Sequence, residues 1–469
     1  MTEPTVLAFE DREYTLAELE ALTCGLARVL ADRGVGPGDR VALMSSNRPE
    51  FVVAYRAIDR LGAVVVLLSP AWRSGEVEHA LRLTEPAFAV GDNPVLAAAM
   101  PMLDLDDPIE PDHGDFTAAP VDPDADALLV FSSGTTGLPK AVRHTGSSFA
   151  AAVAHWRQVL GLTADDRLQI VTPPSHILGL LNIATVLDAG GWMRLHRRFD
   201  LDAMLESIER DRITVEMAVA PIALAIASHP DLESFDLSSL RYIMWGATPV
   251  TASVAETVTR RTGVTWLPAY GASEIPVITC NPVGDARLDS VGVPAPGVEL
   301  RIVELGTDRE VPAGETGEIQ VRSPSAMAGY LPDDATAGAF CDGWYRTGDV
   351  GWLDADGRLR ITDRAKDMIK VNGFQVAPAE VEAVLHGHPD IADCAVFGTK
   401  NGAAGETVVA AIATTATLDP DDISTYVAER LASYKRPGRV IFVPDIPRLP
   451  SGKVLRRQLE ERHGRTSDH

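Results

Sequence analysis

The stretch from Phe131 to Lys140, Phe-Ser-Ser-Gly-Thr-Thr-Gly-Leu-Pro-Lys, sets four hydroxyl side chains and two glycines between an apolar run and a lysine. Gly134 and Gly137 permit positive φ, so consecutive backbone N–H groups can turn inward and form a nest for an anion. Ser132, Ser133, Thr135 and Thr136 add neutral donors that can follow a phosphate as it moves, and Lys140 adds a positive charge. The GxxxxGK[ST] spacing of a Walker A loop is absent. Taken alone, the stretch also fits a Ser/Gly-rich surface loop. A second lysine, Lys453, stands in a Pro-Ser-Gly context that lets it reach into a site from a mobile segment.

These residues need a scaffold, and the alternation of patterns supplies one. Thr15-Leu16-Ala17-Glu18 is a capping box, followed by Leu16, Leu19, Leu22, Leu26, Val29 and Leu30 at helical spacing until Gly34. Val41–Ser45 reads as a strand, Pro49–Leu61 as a helix and Ala63–Leu68 as a second, fully apolar strand. Continuously apolar strands alternating with helices argue for a mostly parallel sheet covered by helices. Residues 91–127 read as a surface excursion into strand Ala127–Phe131, and Val311–Gly357 as a small β-rich subdomain. Beyond Asp367 the pattern is helix Pro378–His386, strands Ala392–Gly398 and Val408–Thr414, helix Pro420–Ala432 and strand Arg439–Phe442. The expected fold is therefore α/β: a large N-terminal domain of layered sheets and helices with a β-rich subdomain, then a small α+β domain. A chain of 469 residues exceeds what one core usually holds, about 250–300.

The net charge of −24 argues against nucleic-acid binding and against docking on an anionic membrane surface. Cys24, Cys280, Cys341 and Cys394 are scattered without a CxxC pair, so neither a zinc site nor a disulfide framework is expected. The N-terminus lacks a basic signal-peptide start, and the longest apolar run, Gly62 to Pro70, is far short of the ~18–20 residues of a membrane span. A cytoplasmic enzyme is the expectation, of unknown oligomeric state.

Ser132-Ser-Gly-Thr-Thr-Gly-Leu-Pro-Lys140 resembles the signature loop of the adenylate-forming superfamily, which includes acyl-CoA synthetases, peptide-synthetase adenylation domains and beetle luciferases. The resemblance continues in order through Pro173-Pro-Ser-His176, Tyr270-Gly-Ala-Ser-Glu274, Tyr345-Arg-Thr-Gly-Asp349 and Asp363-Arg364-Ala-Lys366. Lys370 to Glu382, with Gly373-Phe-Gln375 inside it, is similar to the 4-coumarate and acyl-CoA ligase branch, and Pro450-Ser-Gly-Lys453 to the catalytic-lysine segment.

The resemblance implies activation of a small-molecule carboxylic acid by ATP as an acyl-AMP, then transfer to coenzyme A. It assigns catalysis to Lys453, His176, Lys366 and Lys370. Nucleotide binding falls to Ser132, Ser133, Gly134, Thr135, Thr136, Gly137, Lys140, Gly246, Ala247, Thr248, Tyr270, Gly271, Ser273, Glu274, Asp349 and Arg364. Glu274 and Thr136 are implied ligands of Mg²⁺. His176, Trp245, Gly246, Ala269 and Pro276 are placed at the acyl pocket, and Gly373 and Gln375 on the CoA path. The implied division is residues 1–365 and 366–469, hinged at Lys366. Arg430, Lys435, Arg436, Arg439, Arg456 and Arg457 form either a local basic face for CoA or a solvated one.

Three positions depart from the pattern. Ala141 replaces a glycine, Ala269 stands where glycine is common, and Trp245 replaces a small residue, where it either caps a shortened acyl pocket or packs on the sheet. Competing readings keep adenylation but pass the acyl group to a carrier protein, an amine or another acceptor. Others have the enzyme activate a small oxyacid, or have the fold serve as a non-catalytic nucleotide-binding regulator.

Overall fold

The computed structural model describes residues 3–114, 116, 120–132, 139–248, 251–371, 374–400, 406–448 and 454–463. Two large sheets organise the first 331 residues. In the seven-stranded sheet the spatial order is Gly329–Leu331, Lys140–Thr145, Asp126–Ser132, Val64–Leu67, Arg40–Met44, Phe88–Gly91, Leu103–Asp104. Its five strands from Asp126–Ser132 onward run parallel, and the first two are added antiparallel. The nine-stranded sheet has the order Val293–Pro294, Thr279–Cys280, Trp266–Tyr270, Tyr242–Trp245, Val215–Ala218, Arg167–Ile170, Trp192–Leu195, Thr5–Phe9, Arg12–Thr15. Its central strands are parallel.

Side-chain alternation along these strands builds five layers. Val65 and Leu67 face the central core while Val64 and Val66 face the opposite side, with helices Ser74–Thr84 and Pro94–Ala99. In the other sheet Tyr242 and Met244 face the central core, and Ile243 and Trp245 face helices Leu201–Asp211, Ala220–Ser228 and Ala252–Thr262. Between the sheets lie helices Leu16–Asp32, Pro49–Arg60, Gly146–Leu160 and Ile177–Ala189. The Thr15–Glu18 capping box forms in both directions, Thr15 Oγ1 accepting from Glu18 N at 3.1 Å and Glu18 from Thr15 N at 2.8 Å.

A five-stranded sheet follows, with Glu299–Val303, Gly317–Arg322, Phe340–Cys341, Trp344–Leu353 and Leu359–Arg364. Asp349 and Arg364 are direct cross-strand partners in it. The later residues form a hairpin, Ile369–Val371 with Phe374–Val376, and a three-stranded sheet, Asp393–Lys400, Glu406–Ala413 and Arg439–Phe442, with helices Pro378–His386, Pro420–Ala428 and Arg456–His463. Helix Pro420–Ala428 ends short of the expected Ala432. The backbone bond from Leu431 to Val427 nevertheless continues its last turn before the chain turns through Ser433–Lys435 toward Pro437. Asp363 links strand and helix across Lys366: its carboxylate accepts from Ala379 N and from Arg364 N, both at 2.7 Å. A carboxylate at a helix N-terminus satisfies an otherwise open N–H and meets the positive end of the dipole.

No described helix is long and apolar enough to cross a membrane. The cations at the end of the chain are largely neutralised locally: Lys435 pairs with Glu380 at 2.6 Å, Arg456 with Glu382 at 2.8 Å, and Arg457 with Glu461 at 2.9 Å.

One buried polar chain crosses the nine-stranded sheet. Gln169 Nε2 donates to Glu216 at 2.5 Å, and Gln169 Oε1 accepts from His196 Nε2 at 2.8 Å. Burial pushes the Glu216 carboxyl up to about 8, so it is protonated at neutral pH. Between about 4.5 and about 8 the folded chain therefore holds a proton that the unfolded chain lacks. Glu216's contribution to stability is full below this window and is lost as pH rises through it. Urea midpoints measured from pH 5 to 9 are expected to fall more steeply in the wild type than in Glu216→Gln; parallel profiles would contradict the assignment.

Candidate functional site

The candidate residues converge where the two sheets and the β-rich subdomain meet. Ser132 and Lys140 lie directly opposite each other in the antiparallel pair Asp126–Ser132 and Lys140–Thr145, and the hydroxyl-rich stretch runs between them in sequence. Ser133, Gly134, Thr135, Thr136 and Gly137 lie outside the described residues, as do Gly373, the Gln375 side chain and Lys453.

Tyr270 ends strand Trp266–Tyr270, and its hydroxyl donates to Asp349 Oδ2 at 2.5 Å. Arg364 Nε donates to Asp349 Oδ1 at 2.8 Å. Asp349 is only 6% exposed, so these two donors answer most of its desolvation. Burial first, and the Asp349 carboxylate second, raise the Tyr270 phenol well above its usual range and keep it a donor. Burial alone lowers Arg364; Asp349 and Tyr270 outweigh it, and the net direction is up. Thr347 braces the carboxylate's backbone, its hydroxyl accepting from Asp349 N at 3.0 Å and donating to Ile319 O at 2.8 Å.

Glu274 is held by a separate set. Tyr330 donates to Glu274 Oε1 at 2.8 Å, and the Tyr330 and Tyr345 hydroxyls lie 3.3 Å apart. Burial followed by the Glu274 charge raises both phenols. Lys140 Nζ stands 5.4 Å from the Tyr330 ring centroid, close enough for a cation–π contact. Glu274 O accepts from Met327 N at 2.8 Å, and Ser273 O from His144 Nε2 at 2.7 Å. Tyr330 and His144 escaped the sequence reading because a tyrosine or histidine in a strand looks like core. Tyr345 lay inside a quoted motif but was not singled out.

Between these groups the backbone is tightly constrained. A Cβ on Gly271 would lie 2.1 Å from Pro276 O, so only glycine lets the turn fold back, with Ala272 N donating to Ile275 O at 2.9 Å. Ala247 adopts φ +64°, left-handed for a residue with a Cβ. It lies between Gly246, where a Cβ would meet the Met244 sulfur at 3.2 Å, and Thr248, whose hydroxyl accepts from Ala220 N at 3.1 Å and from the Trp245 indole at 3.2 Å.

Trp245, 1% exposed, packs 5.0 Å from Trp266 in the core beneath helices Ala220–Ser228 and Ala252–Thr262. Its ring therefore serves packing and offers no open face to a pocket. His176 occupies the N-cap of helix Ile177–Ala189, and desolvation lowers its pKa. Lys366 and Lys370 are exposed, and Lys370 N donates to Glu406 at 2.7 Å. A cavity of about 410 Å³ is lined by residues from Lys366 onward, including Asp367, Phe397, Lys400 and Arg456, and by none of Tyr270, Glu274, Asp349 or Arg364.

Among the described residues no cluster of three or more His, Cys, Asp or Glu side chains suits a metal. Glu274 nevertheless offers a hard carboxylate with one oxygen held by Tyr330, and no described residue hydrogen-bonds the other. A single protein carboxylate completed by substrate phosphates and water is how Mg²⁺ is commonly held, so the donor set fits.

This site belongs to a known kind of protein. A family model for "AMP-binding enzyme" matches residues 2–331, and one for "AMP-binding enzyme C-terminal domain" matches residues 380–453. The chain belongs to the AMP-binding enzyme family. It is 34% identical to 4-coumarate–CoA ligase 2 of Oryza sativa subsp. japonica, over 97% of this chain and 88% of that one. Among solved structures, ATP-bound MatB from Rhodopseudomonas palustris superposes with TM-score 0.92 at 29% identity, covering 98% of this chain and 96% of that one. Amide bond synthetase McbA from Marinactinospora thermotolerans gives 0.91 at 31% identity, covering 98% and 97%.

Gly271→Ala should displace the turn and loosen the Tyr270–Asp349 bond. The expected result is a lowered melting temperature together with weakened ATP binding by calorimetry; unchanged ATP binding would contradict it. Ala247→Gly should relieve the left-handed strain and stabilise the fold by about 1 kcal/mol in urea unfolding; a destabilised variant would show that the methyl group packs favourably.

Proposed function

We propose that this chain is an ATP-dependent carboxylic acid:CoA ligase, forming an acyl-AMP and pyrophosphate and then a thioester and AMP. The observation that carries the reading is the Asp349 carboxylate held between Tyr270 and Arg364, one turn from a Glu274 carboxylate held by Tyr330. The first suits a nucleoside and the second a polyphosphate with its counter-ion.

In the first half-reaction a substrate carboxylate oxygen bonds to the α-phosphorus of ATP while the bond to the β-phosphate oxygen breaks. Tyr270 offers a ring face to the base. The Gly246–Thr248 turn lets backbone come close to it. Asp349 accepts from the ribose hydroxyls and Arg364 donates to the same sugar. Lys140 and the loop hydroxyls follow the phosphates, and Lys453 bridges the attacking carboxylate and the α-phosphate. Such aligned donors lower the cost of bringing two anions together. Glu274, with Thr136, would hold Mg²⁺, which supplies charge screening on the phosphates.

In the second half-reaction a thiolate sulfur bonds to the acyl carbonyl carbon and AMP leaves. Residues 366–469 turn about Lys366 against residues 1–365, bringing Lys370, Gly373 and Gln375 onto the thiol's path. His176, Gly246, Ala269 and Pro276 border the acid. Because Trp245 is committed to the core, acid size is set by these other residues. The acidic chain and unpaired cysteines support a cytoplasmic setting.

Pyrophosphate release with Mg·ATP across aryl, short-chain, dicarboxylic and fatty acids, with and without CoA, tests the reading. Release accelerated by CoA for one acid class is expected. Release indifferent to CoA but responsive to an amine or carrier protein would move the acceptor, and silence across the panel would overturn the ligase. Lys453→Ala is expected to lower pyrophosphate release by about a hundredfold or more while largely sparing thioester formation from supplied acyl-AMP. Equal loss of both steps would refute that division.

A further inference from the structure

We propose that His144 is a positioning residue of the nucleotide site: its Nε2–H, donated to the Ser273 carbonyl, fixes the turn carrying Glu274 and so sets affinity for magnesium-bound ATP. The inference rests on the ATP reading above and adds a residue that makes no contact with substrate in it.

His144 lies on strand Lys140–Thr145, and its side chain is fully buried. Lys140, at the start of the same strand, is the register partner of Ser132. Tyr330, on the neighbouring strand, is the register partner of Val142 and holds the Glu274 side chain. One edge of the seven-stranded sheet thus carries three groups aimed at one turn of the nine-stranded sheet. Tyr330 fixes the Glu274 carboxylate, Met327 N its carbonyl at 2.8 Å, and His144 the preceding carbonyl at 2.7 Å.

The ring's chemistry makes this bond one-directional. A carbonyl can only accept, so Nε2 must carry the proton. Nδ1, 3.3 Å from Ser148 Oγ, is then a bare acceptor that shares the serine hydroxyl's one proton with Thr145 O, also at 3.3 Å. Burial lowers the His144 pKa to about 4, leaving the ring neutral and in this single tautomer at neutral pH. A leucine would fill much of the same space but leave a buried carbonyl without its donor, and such an orphan costs about a factor of ten or more in whatever equilibrium depends on it.

The test is calorimetric titration of the full chain with Mg·ATP, and with ATP in EDTA, for wild type, His144→Leu, His144→Asn and His144→Gln. Gln carries its amide nitrogen about where Nε2 sits; Asn reaches only the Nδ1 position. Leu and Asn variants are expected to bind Mg·ATP about tenfold more weakly while ATP in EDTA changes by less than about twofold, with Gln restoring affinity to within about threefold. Unchanged Mg·ATP affinity in the Leu variant, equal losses with and without magnesium, or a Gln variant as weak as Leu would each overturn the proposal. If the Leu and Asn variants fail to fold, ¹⁵N shifts of the wild-type ring decide: a proton on Nε2 with bare Nδ1 supports it, and a proton on Nδ1 overturns it. A wild type that binds no ATP at all defeats the function proposed above and this inference with it, whereas a loss confined to the variants bears on His144 alone.

Discussion

A buried carboxylate that must stay paired governs the architecture around the site. Asp349, 6% exposed, belongs to the β-rich sheet, yet one of its two donors, Tyr270, comes from the end of a strand in the nine-stranded sheet. Removing a carboxylate from water costs several kcal/mol unless its partners are well placed, so the relative position of the two sheets is coupled to this contact. Arg364 is delivered by cross-strand register and needs no loop to reach it. The rigidity around this contact therefore comes from strands.

Charge is arranged differently in the last hundred residues. Among the described residues several of their basic side chains are paired with carboxylates, among them Lys435 with Glu380 and Arg456 with Glu382 and Asp367. Each such pair weakens the field its cation presents to a distance.

Local signals carried most of the element boundaries. The capping box at Thr15, the proline at position 378 and the apolar run at Val64–Leu67 each state their own structure, because the interactions that define them lie within a few residues. The order of motifs made the candidate residues legible, and Tyr270, Asp349 and Arg364 do come together. Tyr330 and His144 were not legible, since their role depends on strand Gly329–Leu331 joining Lys140–Thr145 from far along the chain. Trp245 shows the opposite case. Its period-two partnership with Ile243 already placed it on the outer face of its sheet, and that alternation outweighs its neighbourhood to Gly246.

The Asp363 carboxylate couples two things that are usually separate. The same group that accepts from the backbone of Arg364 also accepts from the first turn of helix Pro378–His386, beyond Lys366. A charge-assisted hydrogen bond contributes about 1.5–3 kcal/mol, so the geometry that makes it is favoured by about ten- to a hundredfold over one that breaks it. Asp363 thus acts as a stitch, tying the strand that ends before Lys366 to the helix that begins after it.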